Sequence, residues 1–168
     1  RDELFGLAGE PETLSPLGFD HTARYRDDLL RRAVESLVDV VAVRDTAPTQ
    51  GSLLLIERGT PDPFYATTDS ETRSAGAQRR SSHNMDEIEA TTSADWDVRR
   101  LSLEGISLRE QAQAFRSAEV VVAQHGAALS NMVFCTRGTS VCEIDPQRGN
   151  PVFGDLALNF RLPYKRLR

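Results

Sequence analysis

The sequence is poor in cysteine, in lysine and in long apolar runs, and each shortage excludes a class of protein. Its two cysteines, Cys135 and Cys142, are too few for a disulfide-stabilised fold or a zinc site. Lys165 is the single lysine among 20 basic residues, and the net charge of −5 argues against a general nucleic-acid binder. No apolar run approaches the roughly 20 residues that cross a bilayer, so we expect membrane attachment only through an anchor outside this sequence.

The length of the chain, 168 residues, suits one domain with one hydrophobic core. Residues 1–22 carry several glycines and prolines, which predicts an irregular lead-in to a domain spanning residues 23–168. The sequence begins at Arg1 without a signal-peptide pattern, and we therefore expect it to be a fragment of a longer protein.

Apolar runs and helical periodicities alternate along the chain. Strands are predicted at 52–56, 96–103, 119–123, 139–144 and near Tyr164. Helices are predicted over 25–38 and 154–160, and after residue 126. Two more are predicted to start at Asn84, which can act as an N-cap, and at a capping box formed by 107–110. A long polar loop is predicted at 59–82. This alternation predicts an α/β fold, with a parallel sheet of about five strands flanked by helices and with 120–122 and 141–144 in central strands.

Polar residues cluster where these strands are predicted to end, which is where open α/β sheets bind ligands. The clusters are Glu57-Arg58, His125-Gly126, Asn131 and Glu143 to Asp145. Gly126 lets a ligand approach the backbone closely, and the helix after it offers free N–H groups to an anion. On spacing alone, His125 is equally consistent with a structural turn residue. The alternative interpretation of Glu143 is a solvated strand end.

One longer stretch is more specific than its parts. Residues 120–134 read Val-Val-Val-Ala-Gln-His-Gly-Ala-Ala-Leu-Ser-Asn-Met-Val-Phe, and residues 138–146 read Gly-Thr-Ser-Val-Cys-Glu-Ile-Asp-Pro. Together they resemble glycosyltransferase family 61, which has a strand, His-Gly-Ala, Thr/Ser-Asn, an apolar helix and a strand ending in Glu. The strand before Arg58, the segment from Arg79-Arg80 to Asn84 and the helix at 107–118 match further family elements in order. The resemblance covers roughly residues 24–167.

This resemblance implies an inverting, metal-independent glycosyltransferase whose Rossmann-like domain is one half of a GT-B type fold. The implied donor is a nucleotide sugar, a UDP-sugar carrying N-acetylglucosamine, xylose or a similar sugar, and no cofactor or metal is implied. The acceptor is a glycan or glycoprotein, and a second Rossmann domain, absent from this chain, would bind it. The implied compartment is the Golgi or ER lumen if the source is eukaryotic.

The resemblance also assigns roles to single residues. It implies that Arg58 and Arg80 stabilise the departing diphosphate, and that Glu143 accepts hydrogen bonds from the ribose hydroxyls. The implied catalytic residues are His125 and Arg80, and the implied donor-binding residues are Arg58, Asn84, Gly126, Ala127, Asn131 and Glu143.

Two departures from the family pattern keep a second interpretation open. Glu57 stands where the family has Ser, which brings a negative charge toward the phosphate pocket, and the spacing from Arg79-Arg80 to Asn84 is one residue longer. The alternative is a catalytically silent relative that acts as a structural or interaction domain in a larger assembly.

The tripeptide Asp95-Trp96-Asp97 spells the metal-binding motif of the other glycosyltransferase fold, but no strand is predicted before it, which favours a chance match. The basic stretch at 148–168 is consistent with a solvated edge or with a surface that docks a partner domain.

Overall fold

Five parallel strands make up the sheet of the computed structural model, which describes residues 23–58, 84–145 and 152–167. The strands are β1 (Ser52–Glu57), β2 (Asp97–Ser102), β3 (Val120–Gln124), β4 (Ser140–Ile144) and β5 (Tyr164–Leu167). They lie in the order β2-β1-β3-β4-β5, and every neighbouring pair is parallel. The predicted α/β fold class is therefore confirmed as a Rossmann-like sheet, in which β3 is the central strand and β4 is also interior.

Helical segments connect these strands, as the alternation predicts. The described α-helices are α1 (Ala23–Val40), α2 (Met85–Thr92), α3 (Leu108–Ser117) and α4 (Val152–Asn159), and a 3₁₀ helix (Ala127–Phe134) follows β3. None of the helices in the described ranges is long and apolar enough to cross a membrane. The predicted lead-in at 1–22 and the predicted loop at 59–82 lie outside the described residues.

The two faces of the sheet carry separate apolar clusters because successive side chains of a strand point to opposite faces. On one face, α1, α3, the 3₁₀ helix and α4 cover Leu54, Ile56, Val121 and Val141. On the other face, Met85 and Ile88 of α2 pack with Leu53, Leu55, Val120, Val122 and Cys142. Helices on both faces explain why β1 and β3 read as unbroken apolar runs, since an interior parallel strand is buried on both sides.

The helix starts differ in how they are capped. Ser107 accepts from the backbone N–H of Glu110 and the Glu110 side chain accepts from the backbone N–H of Ser107, so the predicted capping box is confirmed. Asn84 occupies the N-cap position of α2, so the predicted helix start is confirmed, but its side chain makes no capping hydrogen bond. The acidic first turn, Asp86 and Glu87, complements the dipole of α2 instead.

Candidate functional site

Three interior strands deliver their last residues to one edge of the sheet. Ile56 of β1 is paired with Ala123 of β3, and Ala123 with Glu143 of β4, so these strands end at similar heights. The segments leaving them begin with Arg58, with His125 and Gly126, and with Asp145. Parallel pairing therefore brings together polar residues that are up to 87 positions apart in the sequence.

Arg58 and the turn after β3 are in direct contact. The guanidinium of Arg58 donates from Nη2 to the backbone carbonyl of His125, at 2.5 Å. A Cβ atom built on Gly126 would lie 2.5 Å from the same Nη2, far inside van der Waals contact. A side chain at position 126 would therefore displace the guanidinium of Arg58 from the turn, so glycine here makes room for Arg58 as well as for a ligand.

His125 and Glu143 form a buried pair across β3 and β4. Nδ1 of His125 is hydrogen-bonded to Oε1 of Glu143, and the imidazole ring packs edge-on against Phe153 of α4, with ring centroids 5.2 Å apart. His125 is 6% exposed and Glu143 is fully buried. Because a carboxylate accepts from Nδ1, it fixes the tautomer and orientation of the ring and leaves Nε2 for another partner.

Glu143 is held on its other oxygen as well. Oε2 accepts from the hydroxyl of Tyr164 and from Nε of Arg166, the latter at 3.0 Å. The interpretation of Glu143 as a solvated strand end is therefore wrong. Three of the roughly four acceptor positions of this carboxylate are used within the protein and the side chain is fully buried, so a ribose hydroxyl would reach it only if the surrounding side chains moved.

A second buried carboxylate lies beside this network. Asp145 is 1% exposed, and its Oδ2 lies 3.8 Å from Nε of Arg166. Potential metal-ligating atoms of His125, Glu143 and Asp145 all lie within 4.8 Å of one another. The spacing of histidines and cysteines along the sequence gave no such group, because its members come from two adjacent strands. The guanidinium of Arg166 supplies positive charge at this position, so these residues fit an internal ion-pair network better than a metal site.

The negative charge of Glu57 is neutralised within the protein. Its Oε2 accepts from Nε of Arg100 at 2.7 Å, and the same guanidinium bonds Asp86 and Glu89 of α2. These three carboxylates raise the pKa of Arg100 well above its ordinary value. Glu57 therefore forms an ion pair with Arg100 of the edge strand β2. This pairing offsets the negative charge that would otherwise repel a phosphate near Arg58.

The four remaining predicted site residues are Asn131, Ala127, Asn84 and Arg80. Asn131 lies inside the 3₁₀ helix rather than at a strand end, and its Nδ2 donates to the carbonyl of Ala128 at 3.2 Å. Ala127 and Asn84 are exposed at the starts of the 3₁₀ helix and of α2. Arg80 lies outside the described residues.

The Asp-x-Asp tripeptide does not form part of this edge. Asp95 lies in a turn and Asp97 opens β2, and both are exposed. Among the residues that the structure describes, neither belongs to a metal-binding group.

Sequence reasoning missed three members of the site. Tyr164 and Arg166 donate hydrogen bonds to the carboxylate of Glu143, and Arg100 forms an ion pair with Glu57. One signal for the first two was available: Tyr164 and Arg166 alternate on β5, so both point to one face of the sheet. Nothing in the sequence showed that β5 lies next to β4 rather than on the opposite edge.

Comparison with known proteins adds a family. The family model described as Glycosyltransferase 61 matches residues 21–142, which is most of the chain. The matched range contains seven of the eight predicted site residues and ends at Cys142, immediately before Glu143. A search of curated proteins gives no match.

Proposed function

This chain belongs to glycosyltransferase family 61, and we propose that it is the donor-binding half of an active, inverting glycosyltransferase of the GT-B type. Its donor is a UDP-sugar, and its acceptor is a glycan or glycoprotein bound by a second Rossmann domain. The reaction joins an acceptor hydroxyl oxygen to the anomeric carbon while the bond from that carbon to the diphosphate breaks. The acceptor proton passes to a general base, which we assign to the second domain.

The convergence of Arg58, His125 and Gly126 at the carboxyl edge of the sheet carries this proposal. Arg58 lies against the turn after the central strand, where a ligand in an open α/β sheet is expected. Negative charge builds on the leaving diphosphate, and a guanidinium suits it because its planar fork binds phosphate oxygens in pairs. We assign that role to Arg58 and Arg80, with Asn84, Ala127 and Asn131 as further donor contacts.

We assign Glu143 an indirect part in donor binding. It accepts from Nδ1 of His125, so an imidazolium at this position would donate from Nε2 to a phosphate oxygen while Glu143 stabilises its charge. Arg166 and Tyr164 in turn hold the carboxylate in place. In this proposal His125 touches the donor and Glu143 is a positioning residue.

Calorimetry of the full-length protein with UDP is the decisive test. We expect Arg58→Ala to weaken UDP binding by about tenfold or more, because one charge-assisted contact is lost. Arg99→Ala removes an equal charge from an exposed position on β2 and should leave binding unchanged. If UDP binds with equal affinity to all three proteins, the proposed donor site is wrong.

Turnover tests the catalytic part of the proposal. We expect Arg80→Ala to reduce turnover by about 10²–10³-fold, the cost of one lost contact to a developing oxyanion. Treatment with EDTA should leave turnover unchanged, since fixed cations take the place of a metal. Activity that EDTA abolishes and manganese restores would overturn this mechanism, and would direct attention to His125, Glu143 and Asp145 or to Asp95 and Asp97.

Membership of the family supports proposals for the partners and the compartment. We propose N-acetylglucosamine, xylose or a similar sugar as the transferred group, and the ER or Golgi lumen as the compartment if the source is eukaryotic. We also propose that residues 23–168 make up the whole nucleotide-sugar-binding domain. The full-length sequence tests this arrangement, because an active enzyme needs a second Rossmann half outside this chain.

The burial of Glu143 among partners from the protein favours a second candidate, a catalytically silent relative. Both oxygens of this carboxylate are bonded within the protein, as expected of a residue kept for structure. A silent domain would show no UDP binding in the full-length protein, whereas the enzyme would bind UDP and lose affinity with Arg58→Ala.

A further inference from the structure

A cleft of about 380 Å³ lies at the opposite end of the sheet from the proposed donor site. Its walls come from α1 and from the segments that lead into β1, β3, β4 and β5, so it lies at the amino ends of the strands. Five of its lining residues are arginines: Arg31, Arg44, Arg116, Arg137 and Arg161. A cleft of this size is in the range that holds a small ligand.

The charge of the cleft opposes the charge of the chain. The chain carries a net charge of −5, yet Glu35 is the single acidic residue among those that line the cleft. Asp39, outside the lining, pairs with Arg44 through both of its oxygens. Arg137 and Arg161 are exposed and have no ion pair within the described part of the chain. Guanidiniums that share one small space repel each other, so an anion bound between them would be stabilised.

The backbone at Arg161 supplies an independent observation. Arg161 has φ = 55° and follows the last turn of α4, where the N–H of Leu162 returns to the carbonyl of Ala157 at 2.9 Å. This left-handed position strongly favours glycine, and a longer side chain costs free energy there. The same conformation occurs at Ala42, just after the end of α1, but at Arg161 the residue that bears this backbone cost also lines the cleft with its cation.

Arg116 is held in the cleft with unused hydrogen-bonding capacity. Its Nη2 donates to the backbone carbonyl of Arg44 at 3.3 Å, which fixes the direction of the guanidinium. Its Nε is buried and has no hydrogen-bond partner among the residues that the structure describes. A buried donor without a partner is costly, and an oxyanion next to it would satisfy it.

We propose that this cleft is a second ligand site, which binds a small multivalent oxyanion carrying phosphate or carboxylate groups. Arg137 and Arg161 provide exposed guanidinium groups that can bind oxyanion oxygens in pairs, and Arg116 provides the buried Nε–H donor. The site is separate from the donor site because it lies at the amino rather than the carboxyl ends of the strands. It does not depend on the chain being an active transferase.

Titration calorimetry of the full-length protein with inorganic pyrophosphate at 150 mM salt tests this proposal, with citrate as the carboxylate probe. We expect binding in the micromolar range for at least one probe, and about tenfold weaker binding for each arginine removed by Arg137→Ala or Arg161→Gly. Arg99→Ala, an exposed arginine outside the cleft, should leave the affinity unchanged. Preference for pyrophosphate identifies a phosphate ligand, and preference for citrate identifies a carboxylate ligand.

Arg161→Gly separates a ligand contact from a structural role. Glycine relieves the left-handed backbone, so this variant should unfold at a higher temperature while it binds the probe more weakly. Unchanged binding in this variant, or binding of both probes only at millimolar concentration, would overturn the proposal. Pyrophosphate affinity that Arg58→Ala abolishes and the cleft variants leave intact would also overturn it, since the binding would then be at the donor site.

Discussion

Nδ1 of His125 and Oε1 of Glu143 are hydrogen-bonded across neighbouring parallel strands, inside the protein and at the carboxyl edge of the sheet. The pair depends on the register of β3 and β4. Gln124 at the end of β3 lies opposite Ile144 of β4, so the next residue, His125, is close enough to contact Glu143. The stability of the domain and the geometry of the proposed donor site are therefore coupled through one carboxylate.

The first prediction concerns the buried charge of Glu143. Glu143→Gln keeps the shape of the side chain but removes the carboxylate charge that Nε of Arg166 contacts at 3.0 Å, while Asp145 remains 3.8 Å away. Breaking a buried ion pair typically costs about 3–5 kcal/mol of unfolding free energy. Tyr164→Phe removes one hydroxyl that bonds the same carboxylate and should cost less, about 1.5–3 kcal/mol. Urea unfolding measures both, and a smaller loss for Glu143→Gln than for Tyr164→Phe would contradict the central role of this charge.

The second prediction concerns the contact of Gly126 with Arg58. In Gly126→Ala the new methyl group meets Nη2 of Arg58, and the flexible side chain moves away with little loss of stability. We expect weaker UDP binding, close to that of Arg58→Ala. In an Arg58→Ala background the same change should have no further effect, and this double-mutant cycle is the control. Additive losses in calorimetry would show that Gly126 acts on the ligand by another route.

The third prediction concerns the neutralisation of Glu57 by Arg100. Arg100→Gln frees Glu57 next to the proposed phosphate pocket and should weaken UDP binding by roughly two- to fivefold, an effect that added salt reduces. Glu57→Ser alone should change the affinity little, because its charge is already paired. The double variant Glu57→Ser with Arg100→Gln should regain the original affinity. If it does not, Arg100 supports the donor site by another route, such as the position of α2.

The fourth prediction concerns stability in alkaline solution. Burial raises the pKa of the Cys142 thiol to about 11, and burial also raises the pKa of Cys135. The unfolded chain releases these protons near the ordinary value of 9.0, so the folded state loses stability as pH rises from about 9 to 11. Urea midpoints of the wild-type chain should fall over this range more steeply than those of a Cys135→Ala, Cys142→Ala double variant. Parallel profiles would show that the thiols ionise equally in both states.

The layout of the sheet was largely readable from the sequence, and the reason is physical. Interior parallel strands are buried on both faces, so Leu53–Ile56 and Val120–Ala123 stand out as unbroken apolar runs. The capping box at Ser107 was equally legible, because both of its bonds are local. The side-chain cap at Asn84 was not predictable in this way, because a residue type that can cap a helix does not always direct its side chain toward the helix.

The site was readable only in part. The sequence indicated that Arg58, His125 and Glu143 would lie at strand ends, and the structure brings these three together. It did not indicate that Glu143 would be sealed by Tyr164 and Arg166, because that depends on which strand lies beside β4. Strand order is set by crossovers between distant segments, and no local pattern encodes it.

Strand order also has a consequence for synthesis of the chain on the ribosome. Both neighbours of β1, which are β2 and β3, are made after it, and about 60 residues separate the end of β1 from the start of β3. At roughly 5–20 residues per second, the apolar segment Leu53–Ile56 waits on the order of 3–12 seconds for its second partner. During that interval one side of β1 has unpaired backbone groups, and β1 waits longer for its second partner than β3 or β4 does.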